Sequence, residues 1–310
     1  MDRVTGILNV VLPIIAMLAV GMIARSSGLI TQEGIGQIKS FVVNFTLPAT
    51  LFGAFWSMKF TWREGMMVLV MAAVTAIAFA AGFVVPRLLG VKRDITPFLC
   101  TTIEGGSIGY AMMILLTGQE NLYHFALLDV GNALIQWPVV MTLLQLRQNN
   151  AKTGKEIARS LIRPLNIAIV AGILLSATGI GPVLASTPAG ESISSVLSFL
   201  GSPTGAVKIM TIGYGLTFSH INWNETLRSV ASRALIYCVL GIVVFSLTPL
   251  IFPGNQLYRQ AVLLFFVMPP AFNLTMFTIN RNEEEYLSGV LAVYTVLTVI
   301  GYAVIAGVTG

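Results

Sequence analysis

The sequence predicts an all-α membrane protein with ten transmembrane helices in two inverted five-helix repeats. The first observation is composition, because 55% of the 310 residues are hydrophobic, 10% are charged and the mean hydropathy is +0.83. A soluble domain of this size needs far more charge to cover its surface. The second observation is a series of ten apolar segments of near-spanning length. The third is a set of helix-breaking residues at matching places in the two halves of the chain.

The ten apolar segments set the predicted element order. The first five cover residues 5–24, 38–56, 65–89, 96–117 and 122–146. The second five cover residues 164–185, 192–218, 227–252, 257–279 and 286–308. A polar, basic connector lies between them, so the predicted domains are a first repeat at 1–146, the connector at 147–163 and a second repeat at 164–310.

Basic residues predict the orientation of these segments. Thirteen Lys and Arg residues, Lys39 and Arg233 among them, fall in predicted loops on one side, and four fall on the other. Only Lys208 falls inside a span. Since basic loops face the cytoplasm, we expect both termini outside and the connector inside. The net charge of +5 therefore indicates loop placement rather than binding to nucleic acid.

Corresponding segments of the two halves carry corresponding irregularities. The pairs are Pro48 with Pro203, Pro86 with Pro249, and Gly105-Gly106 with Pro269-Pro270. Because five is an odd number, the second half enters the membrane from the opposite side, which is typical of secondary transporters. The alternative is chance alignment, since membrane helices often contain Pro.

The fourth segment contains Glu104, Gly105 and Gly106 where a membrane helix should be most regular. A carboxylate at this depth costs roughly 2.5–3.5 kcal/mol on insertion scales. Interrupted backbone is tolerated there only if it is buried in protein or lines a wet cavity. Both features indicate a functional site.

The predicted breaks offer two kinds of ligand. Pro cannot donate a backbone hydrogen bond, so we expect free carbonyls at Phe265 and Phe266, and likewise at Asn44 and Phe199. Free carbonyls suit a small cation, whereas the bare N–H groups that begin a half-helix suit a carboxylate.

Other polar residues at depth extend the candidate site. Asp129, Asn132 and Gln136 have helical spacing, so they share one face, and they either line a polar pathway or join helices by hydrogen bonds. Lys208 pairs with Glu104, pairs with Asp129, or binds a substrate carboxylate. A purely structural ion pair is the alternative to these functional roles.

Four stretches carry a resemblance to a known family. They are VLPI at 11–14, NFTLPATLF at 44–52, IGYGL at 212–216 and MPPAFN at 268–273. In their order and spacing they resemble the auxin efflux carrier family, which includes PIN-type plant carriers and bacterial relatives. The resemblance covers essentially the whole chain. It implies broken helices four and nine that cross at the substrate site, a scaffold part that moves relative to a transport part, and a homodimer in a bacterial inner membrane.

The chain departs from that family at the first crossover. Relatives commonly have Asn-x-Gly there, and Glu104 takes the place of the Asn, whereas the second crossover keeps its Asn as Asn273. An additional carboxylate weakens any direct transfer of auxin-like binding to this protein.

We therefore expect a secondary active transporter of a small organic anion, a carboxylate, coupled to H⁺ or Na⁺. The predicted substrate-binding residues are Asn44, Gly105, Gly106, Ser107, Lys208, Pro270 and Asn273. Glu104 and Asp129 are the candidates for coupling, with a Na⁺ site near Glu104 as the alternative to a proton. Apart from this coupling ion, no cofactor is predicted. The other functions considered are a sodium-dependent symporter of the bile-acid-symporter type and a membrane receptor or channel.

An enzyme is not expected, because the metalloprotease, nucleophile-elbow and phosphate-loop motifs are missing from the sequence.

Overall fold

The structure is a computed structural model that describes residues 2–58, 60–147, 164–216 and 222–309. All regular secondary structure in these ranges is helical, which confirms the predicted all-α class. The basic connector after Arg147 lies outside the described residues.

The described residues of the first half of the chain form eight α-helices. They are α1 (Asp2–Ser26), α2 (Gln32–Phe41), α3 (Leu47–Trp56), α4 (Trp62–Leu88), α5 (Thr96–Thr101), α6 (Tyr110–Thr117), α7 (Leu122–Ile135) and α8 (Thr142–Arg147). The second half forms α9 (Pro164–Ala177), α10 (Ile180–Ala185), α11 (Pro188–Gly201), α12 (Thr204–Gly215), α13 (Trp223–Ile251), α14 (Gln256–Val267) and α15 (Arg281–Thr309). Each predicted apolar segment is thus occupied by helix.

Five helical stretches among the described residues are long and apolar enough to cross a membrane. They are Gln32–Trp56, Trp62–Leu88, Pro188–Gly215, Trp223–Ile251 and Arg281–Thr309. A bilayer core needs about 20 apolar residues in a helix, so these stretches support the assignment to a membrane protein.

Interruptions of the helices lie at or next to the predicted breaks. A π-helical turn, Val42–Thr46, precedes Pro48, which lies in the first turn of α3. Pro203 separates α11 from α12. Pro86 and Pro249, which were expected at the ends of their segments, lie in the last turns of α4 and α13.

The widest interruptions are in the fourth and ninth predicted segments. After α5 the chain is extended at Thr102, and a π-helical turn, Gly105–Gly109, leads into α6. After α14 the chain is extended at Met268 and Ala271, and a 3₁₀ helix, Phe272–Phe277, follows.

The helices pack into two groups. The first group contains α1–α3 and α9–α12, with α1 on α12 and α3 on α9 and α11. The second group contains α4–α8 and α13–α15, with α4 on α5, α7 and α13, and with α14 on α7, α13 and α15. The groups meet where α12 packs against α6 and the Gly105–Gly109 turn, and where α1 packs against α15.

Glycine allows the closest helix contact of the first group. A Cβ on Gly21 of α1 would lie 2.1 Å from the Met210 carbonyl oxygen, and one on Gly213 of α12 would lie 2.1 Å from that of Leu18. Small residues of this kind let membrane helices approach backbone to backbone. The IGYGL stretch at 212–216 therefore has a packing role.

Several basic residues assigned to loops belong to helices, and Lys39 and Arg233 are the two that bear on the site. Lys39 belongs to α2, and Arg233 lies well inside α13 with a relative exposure of 0%. Their assignment to cytoplasmic loops was therefore wrong.

Candidate functional site

The two interrupted segments contact each other at their breaks. The backbone N–H of Glu104 donates a hydrogen bond to the Pro269 carbonyl at 3.0 Å. The backbone N–H of Ala271 donates to the Thr102 hydroxyl at 3.4 Å, and that of Phe272 donates to Glu104 Oε2 at 2.7 Å. Backbone groups freed at one break are thus satisfied by the other, as a low-dielectric surrounding requires.

Arg233 donates hydrogen bonds to backbone carbonyls at the ends of both half-helices. Its guanidinium donates to the Leu99 carbonyl of α5 at 2.6 Å and to the Met268 carbonyl after α14 at 3.3 Å. The same group lies 4.0 Å from the ring centre of Tyr237 and 5.2 Å from that of Tyr294. A cation at two helix C-termini offsets their partial negative charge, and this explains why an Arg is buried there.

Two of the four carbonyls predicted to be free accept hydrogen bonds within the protein. The Phe265 carbonyl accepts from the Met268 N–H at 3.3 Å, and the Phe199 carbonyl accepts from the Ser202 hydroxyl at 2.9 Å. The Val267 carbonyl likewise accepts from the Thr298 hydroxyl at 2.7 Å. The expectation that Phe265 and Phe199 offer free ligands to a cation was wrong, because neighbouring donors satisfy the carbonyls.

Gly105 is required by the carboxylate of Asp129. A Cβ at Gly105 would lie 2.6 Å from Asp129 Oδ1, so only glycine leaves room for the carboxylate. Asp129 Oδ2 accepts from the Tyr110 hydroxyl at 2.7 Å, and Oδ1 accepts from the Asn132 amide at 3.3 Å. Asp129 also interacts electrostatically with Glu104.

The predicted polar face of the fifth segment forms one chain of hydrogen bonds. Asn132 donates to Gln136 Oε1 at 3.0 Å and accepts from the Thr75 hydroxyl at 3.2 Å. Gln136 Oε1 also accepts from the Ile103 N–H at 3.2 Å. Asn132 and Gln136 therefore join helices and fix the first break, while Asp129 lies at the end of the chain nearest Glu104.

Three charged residues from different elements are close enough for their charges to interact. Lys208 of α12 is buried, and it interacts electrostatically with Glu104 and with Lys39 of α2. Lys39 also interacts electrostatically with Glu104. Both lysines belong to the first helix group and Glu104 to the second, so these charges interact across the boundary between the groups.

The second break contributes Pro270 and Asn273. Pro270 is buried in the extended link after α14, and Asn273 is the second residue of the 3₁₀ helix. The Oδ1 atom of Asn273 is buried and has no hydrogen-bond partner among the described residues. An unsatisfied buried acceptor is unusual in a folded protein, and it lies next to the residue whose N–H binds Glu104.

The remaining predicted site residues are placed as follows. Gly106 and Ser107 belong to the Gly105–Gly109 turn, but the predicted contact through the Ser107 side chain lies outside what the structure describes. Asn44 is exposed, and its amide donates to the Ser40 carbonyl at 2.8 Å and to the Ser40 hydroxyl at 3.1 Å. That amide is thus bound within its own helical stretch rather than at the two breaks.

Sequence reasoning missed Lys39, Tyr110 and Arg233. The signal for Tyr110 was available, since it follows the Gly-rich turn by one residue. For the two cations, the partners come from distant parts of the chain, and no local pattern identifies them.

The described residues contain no group of three or more His, Cys, Asp or Glu side chains that could hold a metal ion. Comparisons with protein-family models and with curated proteins find no match to the chain.

Proposed function

We propose that this chain is a secondary active transporter that moves a small organic anion, a carboxylate, by alternating access with a coupled proton. One observation carries the proposal: Glu104 accepts the backbone N–H of Phe272 and interacts electrostatically with Lys208 of the other helix group. A charge interaction across two groups of membrane helices, at a double break, is the kind of element that substrate and coupling ion can switch.

The resemblance to the auxin efflux carrier family completes the proposed architecture. It comprises ten spans in two inverted repeats, with broken helices four and nine crossing at the substrate site. The contact between the interrupted segments supports it, as do the two helix groups. The proposal places the chain in a bacterial inner membrane as a homodimer, with both termini outside and the basic connector inside.

The proposed anion site consists of the groups that interact with the Glu104 carboxylate in this structure. The Phe272 N–H and the Lys208 ammonium offer a hydrogen-bond donor and a positive charge to one carboxylate. Such charge-assisted hydrogen bonds are strong away from water. The Glu104 side chain therefore occupies the place that a substrate carboxylate takes. The unpartnered Asn273 Oδ1 is an acceptor, so it binds a hydroxyl or another hydrogen-bond donor on the substrate rather than the carboxylate itself.

Protonation of Glu104 couples the uptake of a proton to the binding of the substrate anion. A neutral Glu104 no longer competes for the positive charge, so the substrate anion replaces it while the total charge of the site stays the same. Na⁺ is a poorer coupling ion at this place, because Lys39 and Lys208 are close enough to interact with the same carboxylate. The Phe265 carbonyl, one of those expected to coordinate Na⁺, also accepts a hydrogen bond already.

Alternating access uses the boundary between the helix groups. Lys208 lies on α12, which packs against the Gly105–Gly109 turn and α6 of the other group. Exchange of Glu104 for a substrate carboxylate changes which part of the protein neutralises Lys208. The occupancy of the site thereby biases the relative position of the groups, as an alternating-access cycle requires.

Binding and transport measurements test this function. The purified protein is screened for a rise in melting temperature with acetate, benzoate, malate and succinate, because a ligand of the folded state stabilises it. The best ligand is then followed, radiolabelled, in proteoliposomes. We expect saturable transport that stops on dissipation of the proton gradient. Binding without transport would instead support a receptor, and passive flux without saturation would support a channel.

A further inference from the structure

A crevice on the outer face of the second helix group is open between α13, α14 and α15. Its volume is about 440 Å³, within the range of small-molecule pockets, roughly 300–1,000 Å³. Tyr237, Cys238, Phe266 and Tyr294 are among its lining residues. Along α13 it extends from Ala234 to Phe245, a helical rise of about 16 Å. Its shape and lining suit an extended hydrocarbon chain.

A polar cavity of about 340 Å³ continues this crevice. The two share Phe245 and Leu263, and the second is lined also by Gln256, Arg259, Gln260 and Thr309. These residues lie where α14 begins and α15 ends. Since α13 and α15 are long enough to span a bilayer, this end of the crevice lies near the membrane surface.

The polar cavity contains unsatisfied groups. Arg259 Nε and Gln260 Oε1 are buried and have no hydrogen-bond partner among the described residues. The Arg259 guanidinium stacks on the Phe245 ring at 4.5 Å, and none of the ion pairs in the described ranges involves it. A cation at the mouth of an apolar crevice, with no ion-pair partner in the part of the chain that the structure describes, indicates an anionic ligand with an apolar tail.

We propose that this composite crevice binds an anionic phospholipid, with its phosphate on Arg259 and one acyl chain between α13, α14 and α15. Lipid is the medium around membrane-spanning helices, and a basic side chain at the membrane surface favours anionic headgroups. The site is separate from the carboxylate site proposed above.

The position of the acyl chain has a structural consequence. Tyr237 and Tyr294 line the deep end of the crevice, and both rings pack on Arg233, which binds the carbonyls of both breaks. A bound chain thus supports the residues that position the two interrupted segments.

The test compares phosphatidylglycerol with phosphatidylcholine, each added in detergent to the purified full chain. We expect phosphatidylglycerol to raise the melting temperature more than phosphatidylcholine. The Arg259→Gln variant should lose this difference, while the control Arg63→Gln, an exposed cation at the start of α4, should keep it. Cys238 is exposed and Cys100 is buried, so alkylation of Cys238 should slow when phosphatidylglycerol binds.

The exposed Ala234 provides an independent variant. Ala234→Phe fills the deep end of the crevice and should reduce stabilisation by both lipids without unfolding the protein. Equal stabilisation of the wild type by both lipids, or equal loss of the preference in Arg259→Gln and Arg63→Gln, would overturn the proposal. A change of oligomeric state in Ala234→Phe, with lipid preference retained, would assign the crevice to a second copy of the chain.

Discussion

Glu104 Oε2 and the backbone N–H of Phe272 are joined by a hydrogen bond of 2.7 Å. This bond connects the first break of the chain to the second, across 168 positions of sequence. A carboxylate that accepts a backbone N–H makes a shorter and stronger bond than a neutral acceptor does. The Glu104 carboxylate therefore binds the second break more strongly than an uncharged amide would.

Lys208 is expected to be energetically coupled to Glu104. Lys208→Met leaves the carboxylate without its buried counter-charge and should lower the melting temperature. The double variant Glu104→Gln/Lys208→Met should lose less stability than the two single changes added together. Coupled buried charges typically give interaction energies of about 0.5–3 kcal/mol. Thermal unfolding of the four proteins measures the value, with the exposed Lys92→Met as control. Strict additivity would show that Lys208 has another partner.

Arg233 is expected to be required for the geometry of both breaks. Arg233→Met leaves the Leu99 and Met268 carbonyls without this donor, and an unsatisfied buried acceptor costs about 1–3 kcal/mol. The variant should unfold at lower temperature and lose transport. Arg228→Met, an exposed change on the same helix, should keep the wild-type unfolding temperature and transport. Wild-type stability in Arg233→Met would show that the carbonyls find other donors.

Gly105 is expected to tolerate no side chain while Asp129 is present. Gly105→Ala places a Cβ 2.6 Å from Asp129 Oδ1, so the carboxylate must leave the Tyr110 hydroxyl. Stability should fall by about 1–3 kcal/mol, as in other overpacked sites, and part of it should return in Gly105→Ala/Asp129→Ala. Chemical unfolding measures the free energy of unfolding of the single and the double variant. Gly36→Ala is the control, because nothing lies within 4 Å of its added Cβ. A double variant no more stable than Gly105→Ala would place the clash elsewhere.

The sequence predicted much of the fold, because apolar segments and helix breakers are local signals. The ten segments are helical, and the interruptions near Gly105 and Pro269 occur where Gly and Pro are expected to cause them. Pro86 and Pro249, by contrast, were expected at segment ends, and they lie in the last turns of α4 and α13. The effect of a Pro depends on its distance from the helix end, which apolar periodicity places only within a few residues.

The placement of cations could not be predicted in the same way. Arg233 can be buried because the carbonyl of Leu99, 134 positions away, accepts a hydrogen bond from its guanidinium. Lys39 precedes an apolar run and therefore resembles a loop residue, yet it belongs to α2 and interacts with Glu104. The positions of both cations depend on partners that are distant in the sequence. The carboxylate Glu104 was easier to identify, since an acid between glycines in an apolar segment is unusual by itself.

Transport by Glu104→Gln under imposed gradients tests the proposed mechanism most directly. Gln keeps an oxygen that accepts the Phe272 N–H but cannot carry the proton. In proteoliposomes we expect wild-type transport of the best carboxylate to respond to a pH gradient and not to a Na⁺ gradient. Glu104→Gln should exchange substrate without responding to either gradient, while the exposed Glu120→Gln should behave as wild type. Transport by Glu104→Gln that still follows the pH gradient would contradict the assignment of the coupling proton to Glu104.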